Sequence, residues 1–178
     1  MNTINKNIVL AVEFLNNSPI VKKYSHENQA QVVDLILQIQ QQEYNIAITK
    51  DDQPDLFTIE EVYQTGNGNF WVALYDRKVV GTISLLDIGN NQVALRKMFV
   101  NKEYRGSTYK TASILLDTAI KWAKERPIKA IFLGTTPQFL AAHRFYEKNG
   151  FISIGSSDLP ENFPVLKVDK KFYKYVLE

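Results

Sequence analysis

The chain has 178 residues, 45% hydrophobic and 22% charged, which is enough to bury a real core and ordinary for one globular domain. A net charge of +2 gives no strong field, so neither nucleic acid nor an anionic membrane is an expected partner. With no cysteine, disulfides, thiolate nucleophiles and thiolate metal sites are excluded; the composition suits a reducing cytosol, and a cytoplasmic location is expected.

The first stretch, "MNTINKNIVLAVEFLNN", holds a short apolar run broken by Glu13 and lacks the parts of a signal peptide. Residues 1–18 read as an amphipathic extra helix or arm. A short strand is expected at 20–25. Ser25 is a plausible N-cap for a helix to about Glu43, because Val32, Leu35, Ile36 and Ile39 recur at helical spacing. A second, shorter helix is expected within "DDQPDLFTIEEVYQ", with Leu56, Ile59 and Tyr63 on one side and Thr58 and Glu61 spaced as a capping box. Gly66-Asn67-Gly68 is a turn. It precedes a strand instead of opening a helix, so "TGNGNF" is not a phosphate-binding loop.

Two strands joined by a tight turn at Asp76-Arg77 follow, then a third in "QVALRKMFV". Arg96 and Lys97 interrupt its alternation. Two readings fit: a β-bulge, or an edge strand carrying a long-stemmed lysine. The clearest helix spans 108–125. Ala112, Leu115, Leu116, Ala119, Ile120 and Ala123 form its apolar face, and Pro127 bars its continuation. "KAIFLGT" is a buried strand. Thr136-Pro137 has the pattern of a helix start and Asn149-Gly150 of its end. "FISIG" and "KFYKYVLE" complete the strands, joined by the loop "SSDLPENFPVLKVD". Short turns make the strands of 69–100 antiparallel; the pair flanking the 108–125 helix is parallel through a right-handed crossover. The expected class is α/β, with a mixed sheet. The exposed edge of the final strand is a possible homodimer surface.

Chemistry concentrates in two places. The first is "FVNKEYRGSTYKTASILLDTAIKWA", where a strand runs through a basic loop into a helix. Such a helix start offers free N–H groups and the positive end of the dipole to an anion, with Arg105, Gly106, Ser107, Thr108 and Lys110 nearby. A merely solvated, capped helix end fits the spacing as well. The second is "TTPQFLAAHRFYEKNGF". There Tyr146 shares a face with Ala142, while His143 falls on another face and reads as exposed or at a rim. On composition alone, a packed tyrosine with a wet hydroxyl is the favoured reading of Tyr146. His26 and His143 lie far apart, so no metal is expected. The sequence contains no Walker loop and no nucleophile elbow, and the lysines at 167, 170, 171 and 174 read as a solvated face.

At these two stretches the sequence resembles the GNAT superfamily of acetyl-CoA-dependent N-acetyltransferases. "RKMFVNKEYRGSTYKTASILLDTAIKWA" is similar to the family's cofactor segment, and "AHRFYEKNGF" to its helix-end signature; with "VVGTIS" the likeness covers roughly 55–178. It implies one domain over 1–178, with helices on both faces of a mostly antiparallel sheet whose parallel strands, about 93–100 and 129–135, splay apart to admit the pantetheine arm. It implies that backbone groups of Met98, Phe99 and Val100 pair with that arm. It also implies that N–H groups from Arg105 through Gly106, Ser107, Thr108, Tyr109, Lys110, Thr111 and Ala112 hold the pyrophosphate, and that Tyr146 lies near the CoA sulfur.

The implied reaction is direct acetyl transfer from acetyl-CoA, without a metal, to a primary amine of a small molecule or peptide. An acyl-CoA-binding module without catalysis is the alternative, and a purely structural domain a third. Glu60, Glu61 and Asp87 are candidate bases. Arg96, Lys97 and the Tyr63 region are expected at the substrate entrance. Two departures stand out: the glycine, any residue, glycine-or-alanine pattern reads Lys110, Thr111, Ala112, and Phe139 replaces a frequent cofactor-contacting asparagine. Lys110 either points away, adds charge to the phosphate site, or blocks it.

Overall fold

A computed structural model of the chain describes Asn7, Ile8, Ala11 and residues 18–178, and the expected helix or arm at 1–18 lies outside the described residues except at those points. The elements in chain order are β1 (Ile20–Lys23), α1 (Gln29–Leu37), α2 (Ile59–Tyr63), β2 (Asn69–Tyr75), β3 (Lys78–Gly89), β4 (Gln92–Val100), α3 (Thr111–Lys124), β5 (Ala130–Thr135), α4 (Leu140–Lys148), β6 (Ile152–Ile154) and β7 (Lys171–Val176). A 3-10 turn at His26–Asn28 leads into α1, and a π-helical segment at Gln38–Glu43 extends it.

The strands form one mixed sheet in the order β1-β2-β3-β4-β5-β7-β6. Alternation along each strand sends side chains to two cores. In β2, Trp71 and Ala73 join Leu115, Leu116, Ala119 and Tyr146 beneath α3 and α4, while Phe70 and Val72 join Val32, Ile36, Leu56 and Tyr63 beneath α1 and α2. A third cluster, Ala94, Ala130, Phe132 and Phe172, is capped by Phe163 from the long 156–169 loop. Helices thus cover both faces.

One pair departs from the antiparallel rule. β4 and β5 run parallel and pair only through Gln92–Ala130, Val93–Ile131 and Ala94–Phe132; beyond Ala94 they diverge. The register of β3 against β4 shifts between Thr82 and Ser84, so the break in alternation is a bulge. The edge-strand alternative fails because β4 is central. Lys97 sits in the bulge with φ +53, a left-handed conformation rare for a residue with a side chain.

Gly81 of β3 sets how closely the start of α3 approaches the sheet. A Cβ there would lie 2.9 Å from Leu115 Cδ1, 3.1 Å from Thr111 Cγ2 and 3.2 Å from the Phe99 carbonyl. Gly81→Ala is therefore expected to destabilise the fold by about 1–3 kcal/mol, as overpacking does, read from the urea midpoint.

Four expectations are corrected. β7 lies between β5 and β6, so its edge is already paired and offers no dimer surface. The capping box at α2 does not form: the Thr58 hydroxyl turns back to the Pro54 carbonyl, 3.4 Å away. α4 begins at Leu140, because Thr136 through Phe139 close a separate turn in which the Phe139 N–H donates to the Thr136 carbonyl. α3 begins at Thr111, because Lys110 adopts the left-handed conformation at its cap. Among the described residues no helix is long and apolar enough to cross a membrane.

Candidate active site

A cavity of about 340 Å³ opens where β4 and β5 diverge. Its walls come from the bulge, Leu95 to Val100, from Leu133 to Thr136 at the end of β5, from Phe139, Ala142 and Tyr146 near and on α4, and from the loops around 44–53 and 163–169. The parallel pair generates the cavity because two strands that stop hydrogen bonding leave their facing peptide groups without each other.

The bulge determines which groups face that gap. The Thr82 hydroxyl donates to the Lys97 carbonyl at 2.6 Å, and the Ser84 hydroxyl donates to the Arg96 carbonyl at 2.8 Å. Both carbonyls therefore point toward β3. A trans peptide directs the following N–H the opposite way, and no cis bond is present among the described residues. The N–H groups of Lys97 and Met98 consequently face the β5 side, toward the cavity. Thr82 and Ser84, read from sequence only as part of a strand, are the residues that fix this orientation.

Tyr146 lines the cavity on the α3/α4 side, packed among Phe145, Phe151 and Tyr173. Its residue is 5% exposed, and burial pushes its phenol well above the usual tyrosine range. Among the described residues its hydroxyl has no hydrogen-bond partner. Such a phenol stays protonated and is a donor in waiting. Thr136 adds a second unpartnered group: its buried Oγ1 lacks a partner among the described residues, and the residue lines the cavity.

The other expected site residues divide. Met98, Phe99, Val100, Arg105, Ala112 and Phe139 join Tyr146 in lining the cavity. Gly106, Ser107, Thr108 and Lys110 are exposed on the loop before α3 and lie outside that lining. Gly106 has φ +85, with nothing within 4 Å of where a Cβ would stand, so space is open there. Tyr109 packs against Tyr104 and Tyr75, and the Thr111 hydroxyl donates to the Tyr104 carbonyl at 2.7 Å; both shape the loop.

The Lys110 N–H donates to the Gly106 carbonyl at 3.0 Å, so it is not a free donor. Its exposed side chain does not plug the cavity. The Arg105 guanidinium is not a free cation either. It donates to the Val100 carbonyl at 2.8 Å and engages both carboxylate oxygens of Glu43. That pairing, opposed by burial, raises the guanidinium pKa further, and it pulls the Glu43 carboxyl below the usual range. Phe139 fills its position with apolar contacts, its ring 4.6 Å from Tyr44 and 6.4 Å from Phe99.

Opposite the bulge lies a buried polar network that sequence did not reveal. Lys97 Nζ sits 3.2 Å from Asp55 Oδ2 and donates to Gln53 Oε1 at 2.8 Å. Gln53 pairs with Gln40, and the Tyr63 hydroxyl donates to Asp55. Burial, offset in part by Asp55, pushes the Lys97 ammonium down to about 8. Burial would raise Asp55, but Lys97 and Tyr63 more than offset it and hold the carboxyl below the usual range. Lys97 and Arg96 do line the cavity; Tyr63 is fully buried behind Asp55 and does not.

His143 is a correction. It is 7% exposed, with Nε2 donating to the Thr136 carbonyl at 3.1 Å, because α4 starts late and turns this face inward. Burial lowers its pKa, and the ring serves as a brace for the β5–α4 turn. Among the described residues no group of three or more His, Cys, Asp or Glu is placed to hold a metal.

A family model described as acetyltransferase (GNAT) family matches residues 33–151. The chain belongs to that family. A GNAT-family acetyltransferase from Staphylococcus aureus Mu50 is 42% identical, superposes with a TM-score of 0.87, and covers 90% of this chain and 100% of its own. The N-acetylaspartate synthetase of Mus musculus is 36% identical over 106 residues, 58% of this chain and 35% of the relative, so the chain spans about a third of that relative's length. The fold is also shared, at 19% identity and a TM-score of 0.69, with the PaiA N-acetyltransferase of Thermoplasma acidophilum in complex with coenzyme A, over 90% of this chain and 99% of that one.

Proposed function

We propose that this chain transfers the acetyl group of acetyl-CoA directly to a primary amine of a small molecule or peptide. One observation carries the reading. The cavity between the diverging strands joins two bulge N–H groups on one side to a buried, protonated phenol on the other. A thioester needs both: donors for the oxygen that gains charge, and a donor for the departing thiolate.

The pantetheine arm would lie between β4 and β5. The exposed loop at Gly106–Thr108 would hold the pyrophosphate, where Gly106 leaves room and the dipole of α3 favours anions. As the amine attacks, charge collects on the carbonyl oxygen; the N–H groups of Lys97 and Met98 stabilise it, each such donor contributing about 3–4 kcal/mol in comparable sites. Tyr146 donates to the sulfur as the C–S bond breaks, which stabilises the charge that develops there. No cysteine exists to carry a cysteinyl intermediate, which fits direct transfer.

The Lys110 side chain is exposed and outside the cavity lining, so it does not block the gap between the strands; a module that binds CoA without catalysis is the alternative reading. Isothermal titration with acetyl-CoA up to millimolar concentration, paired with a thiol-release assay across a panel of primary amines, tests the reading. Saturable binding plus amine-dependent release of CoA is the expected result. Binding without release on any amine would return the non-catalytic module, and no binding would end both.

A further inference from the structure

The acceptor amine arrives as an ammonium and must lose a proton before it attacks. The carboxylates singled out from sequence do not reach the cavity. Asp87 is engaged by the N–H groups of Asn67 and Gly89, each at 2.8 Å, and neither Glu60 nor Glu61 lines the cavity. Asp55 is committed to Lys97 and Tyr63, and Glu43 to Arg105. Among the described residues that line the cavity, one carboxylate remains: Asp169.

Its placement is specific. Asp169 lies in the loop just before β7, is 9% exposed, and sits against Gly134 of β5; a Cβ on Gly134 would meet its Oδ2 at 2.7 Å. The missing side chain at 134 is what lets the carboxylate reach the strand. By alternation Gly134 faces with Phe132, toward the third cluster, whereas Leu133 faces with Tyr146. The carboxylate and the phenol therefore flank the opening from opposite faces of the sheet. The loop is pinned on both sides of Asp169: its N–H donates to the Leu166 carbonyl, and the Lys170 N–H to the Thr135 carbonyl, each at 3.0 Å. Oδ2 accepts from the Leu166 N–H at 3.0 Å.

We propose, resting on the acetyltransferase reading, that Asp169 is the general base that takes the proton from the acceptor ammonium. The nitrogen lone pair then forms the C–N bond and the C–S bond breaks. As the C–S bond breaks the sulfur takes the Tyr146 proton, the second proton of the attacking nitrogen restores the phenol, and Asp169 holds the first, ammonium proton until product release. Burial lifts its carboxyl above the usual range, against the Leu166 N–H, Arg96 from β4 and Lys170, all of which lower it; Lys97 also lines the cavity. A carboxylate raised in this way is a better proton acceptor.

The test uses the full chain, acetyl-CoA, the panel amine with the fastest wild-type rate, and hydroxylamine, which is already uncharged at pH 8. Asp169→Asn keeps an acceptor for the Leu166 N–H but cannot take a proton. Its kcat with the amine is expected to fall about 10²–10⁴-fold at pH 7.5 while its rate with hydroxylamine stays within a few-fold. A wild-type rate with the amine overturns the proposal. So does an equal loss on both nucleophiles, which would make Asp169 a brace for its loop.

A second measurement needs no variant. For the wild type, log kcat/KM for the amine is expected to stay flat from the carboxyl's pKa to the amine's own. A slope of one all the way up to the amine's pKa overturns the base. A wild type that releases CoA with neither nucleophile overturns the acetyltransferase reading itself, and this proposal with it.

Discussion

Tyr146→Phe is expected to lower kcat about 10²–10⁴-fold, the range associated with losing one positioned proton donor, while the affinity for CoA changes little. The ring stays, so the packing against Phe145, Phe151 and Tyr173 stays. The hydroxyl has no protein partner among the described residues, so its loss should change stability by less than about 1 kcal/mol. This separation makes the variant informative: a thermal melt near that of the wild type with a collapsed turnover assigns the phenol to the chemistry. Burial pushes the phenol well above the usual tyrosine range, which favours its donor form. An unchanged turnover would remove Tyr146 from the mechanism.

The second large effect falls on stability. Lys97→Met is expected to cost about 3–5 kcal/mol, because it strands the Asp55 carboxylate in a buried site with only the Tyr63 hydroxyl and a more distant Arg96 to support it. Adding Asp55→Asn should recover most of that loss, and a double variant no better than the single one would show that the pair is not coupled.

The same lysine predicts a pH signature. Its ammonium is held near 8 in the fold and is ordinary, about 10.4, when unfolded. Below pH 8 both states carry the proton and the slope is nil. Between roughly 8 and 10 the unfolded chain binds the proton and the native state does not, so stability rises with pH, by up to about 3 kcal/mol over the full span. Above about 10 the buried Tyr63 and Tyr146 reverse the trend, because the unfolded phenols ionise first. Denaturant melts at pH 7, 8, 9 and 10 should show the rise for the wild type and not for Lys97→Met.

That a charged lysine is kept at a left-handed backbone position, inside a cavity wall, invites a reading in terms of function. Its backbone supplies one of the two N–H groups facing the gap. Its side chain ties the bulge to Gln53 and Asp55 and hence to the 44–57 segment, which forms the opposite wall. Strain held in this way is characteristic of sites whose geometry is over-determined by their surroundings.

Much of the fold was legible locally. The apolar stripe of 108–125, the turn at Asp76-Arg77 and the antiparallel strands of 69–100 follow from period and turn chemistry, which act over a few residues. The flaw at Arg96-Lys97 was visible as a break in alternation, and Tyr146 through its family-like "FYEKNGF" context. What only the tertiary structure decided involves residues far apart in the chain. Asp169 reaches the cavity because β7 inserts between β5 and β6 and because Gly134 leaves room. Thr82 and Ser84 turn the bulge carbonyls away through side chains on a neighbouring strand. Arg105 is spent on Glu43, 62 residues earlier. Lys97 finds Asp55 across a sheet-to-loop contact. Hydrophobic period encodes which face is buried. It carries no information about which distant polar group will satisfy a buried one, because that partner is chosen by how the layers pack.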